Sequence, residues 1–327
     1  MTDVQAMVRA AAVLVAALSA TPQAALAQAW PARTIRTIVP FTAGSGSDII
    51  ARITMEALGA RLGQSIVVEN RVGAGGTIGA TAVARADPDG YTLLFDSSAH
   101  TSTPWVYKKL PYSVDDFAAV AMVAGLPQVL VIAPSKGFKT VQELVAWARA
   151  NPGKASYASG GTGSATHLSV EKFRLSAGFD GAHVPFKGGP EAITEVMTGR
   201  VDFYFVPALP ALSLIRDGKL LALAVSPTKR AAVLPDVPTT TEAGYANSDY
   251  NFWVGVFAPV KTPRDIVERI NTEIGAALAS ADFVGKLARA GAEPLAMTPA
   301  EFETLRRAEL AANEKLVKAI GLAGSEN

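Results

Sequence analysis

The sequence contains no cysteine and only three histidines. The absence of cysteine excludes disulfide bonds, thiolate zinc sites, iron–sulfur clusters and cysteine nucleophiles. His100, His167 and His183 stand far apart and match none of the short spacings of a metal-binding motif. We therefore expect no catalytic metal and no cofactor, which leaves carboxylate and histidine chemistry.

The chain also lacks an excess of charge of either sign. Its 30 Lys and Arg residues balance 29 Asp and Glu residues, so the formal net charge is +1. We expect no nucleic-acid partner and no attraction to an anionic membrane, because no broad positive field is available. Any anionic ligand must be held by local groups. The length of 327 residues and the hydrophobic fraction of 49% indicate a folded protein with room for two lobes.

Residues 1–27 are typical of a secretory signal peptide. An arginine precedes the apolar stretch 10–18, and a small-x-small triplet ends at Ala27. The stretch is shorter than the roughly 20 residues that a membrane-spanning helix needs. We predict export with cleavage near Ala27, and both Met1 and Met7 stay open as the start of the precursor.

The mature chain alternates between strand and helix patterns. A strand over 36–41, a helix over 48–62 and a strand over 65–70 open a series typical of βαβ units, which predicts an α/β fold with a parallel sheet. A second series begins near Val129, and Thr140 to Glu143 match a capping box at the start of one of its helices.

The end of the chain returns to helical patterns. Residues 234–248 are rich in Pro, Thr and Gly, as expected of a connecting segment, and the helices that follow have too few strands for a sheet of their own. We therefore predict a discontinuous domain 1, residues 28–123 and 253–327, around a continuous domain 2, residues 124–252.

Two loops rich in Gly, Ser and Thr each lead from a predicted strand into a predicted helix. Ligands of open α/β sheets bind beyond the carboxyl ends of the strands, and such loops offer backbone N–H groups and hydroxyls to an anion. Two helix N-termini that face each other across a cleft would each take one carboxylate. The predicted ligand-binding residues are Thr42, Gly44, Ser45, Gly46, Ser47, Asp48, Ser97, His100, Gly160, Thr162, Gly163, Ser164, Thr166, His167 and Lys187.

Several of these residues have a structural alternative. Asp48 suits the first turn of a helix in any case, and His167 at a helix start could bond its own loop. Lys187 precedes two glycines that allow close backbone approach, and His100 follows the third predicted strand. His183 looks like a strand residue and is interpreted as structural.

Motifs of two kinds of enzyme are incomplete or absent in the sequence. Gly73 to Gly76 nearly form the dinucleotide motif G-x-G-x-x-G, but Ile78 stands where the third glycine should be, so a tight turn is favoured. Neither the nucleophile elbow G-x-S-x-G nor a phosphate-binding loop occurs. A hydrolase that uses Ser45, Ser47 or Ser164 in a triad of distant residues stays open as an alternative.

Several motifs in combination resemble the Bug-type receptors of the tripartite tricarboxylate transporter family across essentially the whole mature chain. They include IVPF at 38–41, DIIAR at 48–52, VENR at 68–71, GAGG at 73–76, DPDGYTLL at 87–94, ANPG at 150–153, HVPFKGG at 183–189 and LPDVPT at 234–239. The resemblance implies a two-lobed Venus-flytrap periplasmic binding protein fold. It also implies a receptor that delivers a small organic carboxylate to a membrane permease of one large and one small subunit, without catalysis.

The resemblance further implies that the loops Thr42 to Asp48 and Gly160 to His167 hold the carboxylates of the ligand. The first loop departs from the proline and glycines usual in the family, so the ligand is open among dicarboxylates, aromatic carboxylates and acidic or cyclic amino-acid derivatives. One ligand per monomer is the simplest expectation. A receptor that signals to a sensor protein instead of a permease would use the same binding physics.

Overall fold

The computed structural model describes residues 30–326, so the predicted signal peptide and its cleavage point near Ala27 lie outside the described residues. The strands are β1 Ile35–Val39, β2 Ile66–Asn70, β3 Thr92–Ser97, β4 Phe117–Gly125, β5 Gln128–Ile132, β6 Ala155–Ser159, β7 Gly181–Pro185, β8 Phe203–Pro207, β9 Leu221–Val225, β10 Trp253–Pro259 and β11 Glu293–Pro294. The helices are α1 Gly46–Leu62, α2 Thr77–Ala84, α3 Thr103–Val106, α4 Val141–Ala150, α5 Ala165–Ala177, α6 Gly189–Met197, α7 Ala208–Arg216, α8 Arg264–Leu278, α9 Ala281–Arg289 and α10 Pro299–Ala319. None of the described helices is long and apolar enough to cross a membrane.

The first sheet has the strand order β11-β4-β10-β3-β1-β2. Strand β1 runs parallel to β2 and β3, as the βαβ pattern predicts, whereas β10 is antiparallel to both β3 and β4. The prediction of parallel strands is therefore confirmed for β1, β2 and β3 and wrong for the sheet as a whole, which is mixed. Because β10 is antiparallel to both β3 and β4, β4 runs in the same direction as β3, and only β10 and the short β11 run against the other strands. Strand β10 enters the sheet after the chain has built the second sheet.

The second sheet has the order β7-β6-β8-β5-β9 and contains strands from a single continuous stretch. Strand β6 is parallel to β7 and β8, while β5 is antiparallel to β8 and β9. Apolar side chains cover both faces of this sheet, with Phe173 and Phe205 on one face and Tyr204 and Val206 on the other. Both sheets are thus mixed and flanked by helices.

The chain passes between the two sheets twice, from β4 to β5 and from β9 to β10. The two passages are tied together, since the backbone N–H of Leu126 donates to the carbonyl of Phe252 at 2.7 Å. Next to them, the Ser226 hydroxyl donates to the carbonyl of Tyr250 at 3.0 Å. The first bond joins the two passages, and the second, from a side chain, links the two ends of the β9–β10 passage.

Helix ends follow from local sequence. Gly63 ends α1 in the left-handed conformation with φ of 68°, as its position predicts. Thr140 caps α4 by accepting from the N–H of Glu143 at 3.2 Å. In the predicted capping box, the Glu143 carboxylate should accept from the N–H of Thr140. It accepts instead from the N–H of the preceding residue, Lys139, at 2.6 Å.

Candidate functional site

Helices α1, α5, α6 and α7 all begin at one cavity that lies between the two sheets. Helix α1 belongs to the first sheet and the other three to the second. The cavity is lined by Phe41, Ser45, Gly46, Ser47, Ser97, Gly160, Ser164, Ala165, Thr166, Gly188, Gly189, Tyr204, Pro207, Pro210 and Phe252. Among the described residues, those that line it include no Asp, Glu, Lys, Arg or His. Any charge on a ligand must therefore be met by backbone groups and hydroxyls.

The first loop starts α1 with a side-chain cap. Ser45 has extended backbone angles (φ −68°, ψ 159°), and its hydroxyl accepts from the N–H of Asp48 at 3.3 Å. The turn before it is closed by the N–H of Ser45, which donates to the carbonyl of Thr42 at 3.1 Å. Ser45, Gly46 and Ser47 consequently face the cavity with the first turn of the helix.

Asp48 supports this loop from behind and does not line the cavity. The residue is 2% exposed, and its carboxylate accepts from the N–H of Gly44 at 2.9 Å and from Asn70 Nδ2 at 2.8 Å. Arg52 Nε donates to it at 3.1 Å. Burial alone would raise the pKa of Asp48, but the hydrogen bonds from Arg52, Asn70 and Gly44 together hold that pKa below its ordinary value. Asp48 is thus a charged anchor for the loop.

The second loop repeats the design in the other sheet. Ser164 caps α5 with nearly the same backbone angles (φ −65°, ψ 158°), and its hydroxyl accepts from the N–H of His167 at 3.3 Å. Thr166 Oγ1 accepts from the N–H of Gly160 at 2.9 Å, which pulls the loop across the start of the helix. Gly160, Ser164 and Thr166 line the cavity opposite the first loop.

His167 and His183 lie behind the second loop. His167 is 1% exposed, and its Nδ1 accepts from the N–H of Gly163 at 3.1 Å. His183, in β7, is 2.6 Å from the hydroxyl of Ser159 through its Nε2. Burial, reinforced by the adjacent His183, holds the pKa of His167 well below its ordinary value, and burial lowers the pKa of His183 to about 4. Both rings are therefore neutral at pH 7 and brace the loop.

The remaining predicted residues lie elsewhere. His100 is buried in the first sheet's core, stacked on Phe257 with 4.3 Å between ring centroids. Thr162 and the exposed Lys187 line a separate cavity beside Gly73 to Gly76. Seven of the predicted residues line the first cavity, namely Ser45, Gly46, Ser47, Ser97, Gly160, Ser164 and Thr166. The other eight do not, namely Thr42, Gly44, Asp48, His100, Thr162, Gly163, His167 and Lys187.

The apolar part of the lining was missed. Phe41 and Phe252 contribute rings, and Tyr204 from β8 is 1% exposed, with burial raising the pKa of its hydroxyl strongly. Gly188 and Pro207 begin α6 and α7 at the cavity. Ligands bind beyond the carboxyl ends of strands, and this rule applied to β8 would have predicted Pro207 as a site residue. No local sequence pattern predicts that the aromatic residues line the cavity.

The hydroxyls of the site show no sign of activation as nucleophiles. The side chains of Ser45 and Ser164 accept from backbone N–H groups, and in the described part of the chain neither is hydrogen-bonded to an imidazole. Ser159, which does contact His183, is fully buried within β6. In residues 30–326 no group of three His, Cys, Asp or Glu side chains could hold a metal ion.

A family model described as the Tripartite tricarboxylate transporter family receptor matches residues 50–322. Protein BugT of Bordetella pertussis is 38% identical over 278 residues, which cover 84% of this chain and 85% of BugT. Both matches confirm the resemblance that the sequence motifs carry.

Three solved structures share the fold. The periplasmic binding protein BugD has a TM-score of 0.85 at 32% identity and covers 90% of this chain and 99% of its own. The R. palustris protein Rpa4515, solved with adipate, has a TM-score of 0.87 at 34% identity, covering 90% and 99%. MatC from Rhodopseudomonas palustris, with bound malate, has a TM-score of 0.83 at 32% identity, covering 88% and 100%. These structures confirm the predicted class, an α/β two-lobed periplasmic binding protein fold. The chain belongs to the receptor family of the tripartite tricarboxylate transporters, whose members are periplasmic solute-binding receptors and not enzymes.

Proposed function

We propose that this receptor captures a small organic dicarboxylate between its two lobes in the periplasm and delivers it to a membrane permease of one large and one small subunit. One observation carries the proposal: the serine-capped N-termini of α1 and α5, one from each sheet, line the same cavity. The adipate and malate bound by two relatives support a dicarboxylate, and the family description supports the permease.

The physics of the site suits two carboxylates. A partly buried helix N-terminus stabilises an anion by up to about 2 kcal/mol, and each hydrogen bond to a charged group contributes about 1.5 to 3 kcal/mol. Association itself costs on the order of 4 to 15 kcal/mol. Several such bonds at each end of the ligand would leave the surplus of roughly 8 kcal/mol that corresponds to micromolar affinity. A cavity without basic side chains can therefore bind a dianion.

In this proposal, residues 28–123 and 253–327 form the first lobe and residues 124–252 the second. The two passages between the sheets act as the hinge. Contacts near the cavity support a closed arrangement of the lobes, because the Ser102 hydroxyl of the first lobe donates to the carbonyl of Gly163 in the second at 2.7 Å. Beside it, the hydroxyl of Tyr107 donates to the carbonyl of Thr162 at 3.4 Å.

The predicted site residues divide into two groups. We propose that Ser45, Ser47, Ser97, Ser164 and Thr166 contact the ligand, since they line the cavity. Gly46 and Gly160 also line the cavity, Asp48 and His167 hold the two loops in place, and one ligand binds per monomer.

The test is calorimetric titration and thermal unfolding of the mature chain, from Gln28 onwards, with mono-, di- and tricarboxylates. A ligand at 100 times its Kd should add about 2.7 kcal/mol of stability and raise the Tm by several degrees. Ser47→Asp, which places a carboxylate in the cavity, should abolish that rise. The matched control Ser213→Asp, on the exposed face of α7, should leave it intact. If no carboxylate binds, and denatured protein releases none on mass spectrometry, the proposal is wrong.

Export and delivery have separate tests. Sequencing the N-terminus of protein from a periplasmic extract should find Gln28 first. Deleting the permease genes should abolish uptake of the ligand while purified receptor still binds it. Unchanged uptake would contradict delivery to this permease and favour a signalling partner.

A further inference from the structure

The first lobe contacts the second loop of the site through a short segment, residues 102–107. Within this segment, the hydroxyl of Tyr107 donates to the carbonyl of Thr162 at 3.4 Å. Val106 is fully buried, and a Cβ atom added to Gly163 would lie 3.4 Å from three carbons of the valine side chain. The segment therefore forms the first lobe's side of this contact, and closure of the lobes needs it in place.

The segment is too short to hold its own position. Its helix, α3, has four residues, and isolated helices shorter than about 12 residues are barely stable in water. The last carbonyls of a helix also have no partner inside the helix. In α3 these include the carbonyls of Trp105 and Val106, which therefore need donors from another part of the chain.

The residues that follow α10 supply those donors. The backbone N–H of Gly324 donates to the carbonyl of Trp105 at 3.0 Å, and the N–H of Glu326 donates to the carbonyl of Val106 at 3.2 Å. In the other direction, the N–H of Lys108 donates to the carbonyl of Glu326 at 2.9 Å. The two segments thus form a parallel β-bridge, with hydrogen bonds on both sides of the tyrosine that reaches the second lobe.

Residues 323–326 make this contact from the surface of the protein. All four are exposed or half-buried, so they add little to the apolar core of the first lobe. Gly324 has a φ of 60°, a left-handed conformation that glycine adopts without strain. The bonds to α3 are therefore the main structural consequence of these four residues.

We propose that residues 323–326 act as a strap that holds residues 102–107 in place, stabilises the closed arrangement of the lobes and so increases the affinity for the ligand. The described residues that line the ligand cavity include none of the strap. The strap therefore acts on the equilibrium between open and closed lobes and not through a contact with the ligand. The inference rests on the proposed function, because it requires two lobes that close around a ligand.

The experiment compares ligand binding by the mature chain and by two variants of the strap. One variant ends at Leu322, which keeps the hydrogen bond from its N–H to the carbonyl of Val317 at the end of α10. The other is Gly324→Val, since valine does not tolerate the left-handed conformation. Calorimetric titration with malate and with adipate should give a Kd about tenfold higher in both variants, because fewer molecules reach the closed state.

The matched control is Gly153→Val. It places the same side chain at a φ of 75°, in an exposed turn before β6, at the opposite end of that strand from the cavity. This variant should bind like the natural chain. If it weakens binding as much as Gly324→Val, the loss comes from general damage and the inference is wrong.

A double-mutant cycle tests whether the strap acts through the segment. Ser102→Ala combined with Tyr107→Phe removes the two hydroxyls that reach the second loop. In the chain that carries both substitutions, truncation after Leu322 should weaken binding by less than about threefold, because coupled residues do not contribute independently. A further tenfold loss in that chain would show that the strap acts elsewhere and would overturn the inference.

The remaining outcomes separate this inference from the proposed function. An unchanged Kd with a lower Tm in the truncated chain would show that residues 323–326 only stabilise the first lobe, and the proposed function would stand. If the natural chain binds neither malate nor adipate, small-angle X-ray scattering of the ligand-free proteins tests the strap. The truncated chain should have the larger radius of gyration, because its lobes open more often, and an equal radius in the two chains would overturn the inference.

Discussion

The imidazole rings of His167 and His183 stack face to face, with 3.7 Å between their centroids and 6° between their planes. One ring lies in helix α5 and the other in strand β7, and each holds a different part of the loop between β6 and α5. His167 binds the N–H of Gly163, and His183 contacts Ser159. Two rings at this distance cannot both carry charge at low cost, so the brace depends on neutral histidine.

Acid should destabilise the protein through this pair. The pKa of each ring is lower in the folded chain than in the unfolded chain, so the unfolded chain binds more protons below about pH 6.5. The free energy of unfolding therefore falls as the pH decreases toward the pKa values of the folded state. For His183, with a folded pKa of about 4, the loss at pH 5 is roughly 2 kcal/mol relative to neutral pH. Urea unfolding at pH 7 and at pH 5 measures this difference in the free energy of unfolding.

The control for this prediction is His183→Phe, which keeps an aromatic ring in the stack but removes the titrating group. The variant should be less stable at pH 7, since Ser159 loses its partner, yet its stability should change less between pH 7 and pH 5. A variant with the same pH dependence as the natural chain would contradict the assignment.

Closure of the lobes should be sensitive to a single methyl group at Gly188. A Cβ atom added there would lie 1.7 Å from Thr42 Oγ1, across the boundary between the two sheets. The backbone of Gly188 is extended, so Gly188→Ala introduces a clash and not a backbone strain. We expect the ligand to bind about tenfold or more weakly, because fewer molecules reach the closed state.

Two further variants separate this clash from general damage. Gly188→Ala combined with Thr42→Gly removes the obstacle and should recover most of the affinity. Gly275→Ala, on α8 with nothing within 4 Å of the new Cβ, should bind like the natural chain. Full affinity in the Gly188→Ala single variant would show that these residues do not meet on closure.

Ser102 should contribute to the closed state alone. Its hydroxyl reaches the carbonyl of Gly163 at 2.7 Å across the lobes, and also the carbonyl of Ala99 at 3.0 Å within its own lobe. A hydrogen bond of this kind contributes about 0.5 to 1.5 kcal/mol, so Ser102→Ala should weaken ligand binding by about fivefold. The Tm without ligand should change little. Calorimetric titration of the natural chain and of Ser102→Ala measures the two Kd values. An unchanged Kd would show that this hydrogen bond does not stabilise the closed state.

Asp48 should matter for stability far more than other acids on the same helix. In Asp48→Asn, the amide would place an N–H group among the donors Gly44, Arg52 and Asn70, so at least one would lose its acceptor. We expect the free energy of unfolding to fall by about 2 kcal/mol. The matched control is Glu56→Gln, an exposed ion pair with Lys286, which should cost less than about 0.5 kcal/mol. Equal losses in the two variants would contradict the anchoring role.

Much of the first lobe was predictable because its signals are local. The βαβ pattern predicts β1, α1 and β2 within a few residues of their observed bounds. Strand β4 was not predicted, because its run of alanine and valine does not alternate with a helix as β1 to β3 do. In addition, its antiparallel pairing with β10 joins residues more than 120 positions apart. Strand pairing between residues so far apart cannot be predicted from a local stretch of sequence.

The sequence by itself determined the two serine-capped loops, because a cap requires only a hydroxyl and an N–H three residues later, as in Ser45 with Asp48 and Ser164 with His167. It also determined the family, through motifs spread along the whole chain. Only the tertiary structure decided that these loops face the same cavity, that Tyr204 and Phe252 give that cavity an apolar wall, and that Asp48 and His167 lie behind it. The reason is physical: the side of a loop that meets the cleft depends on how two separately built sheets pack against each other, and no stretch of neighbouring residues contains that information.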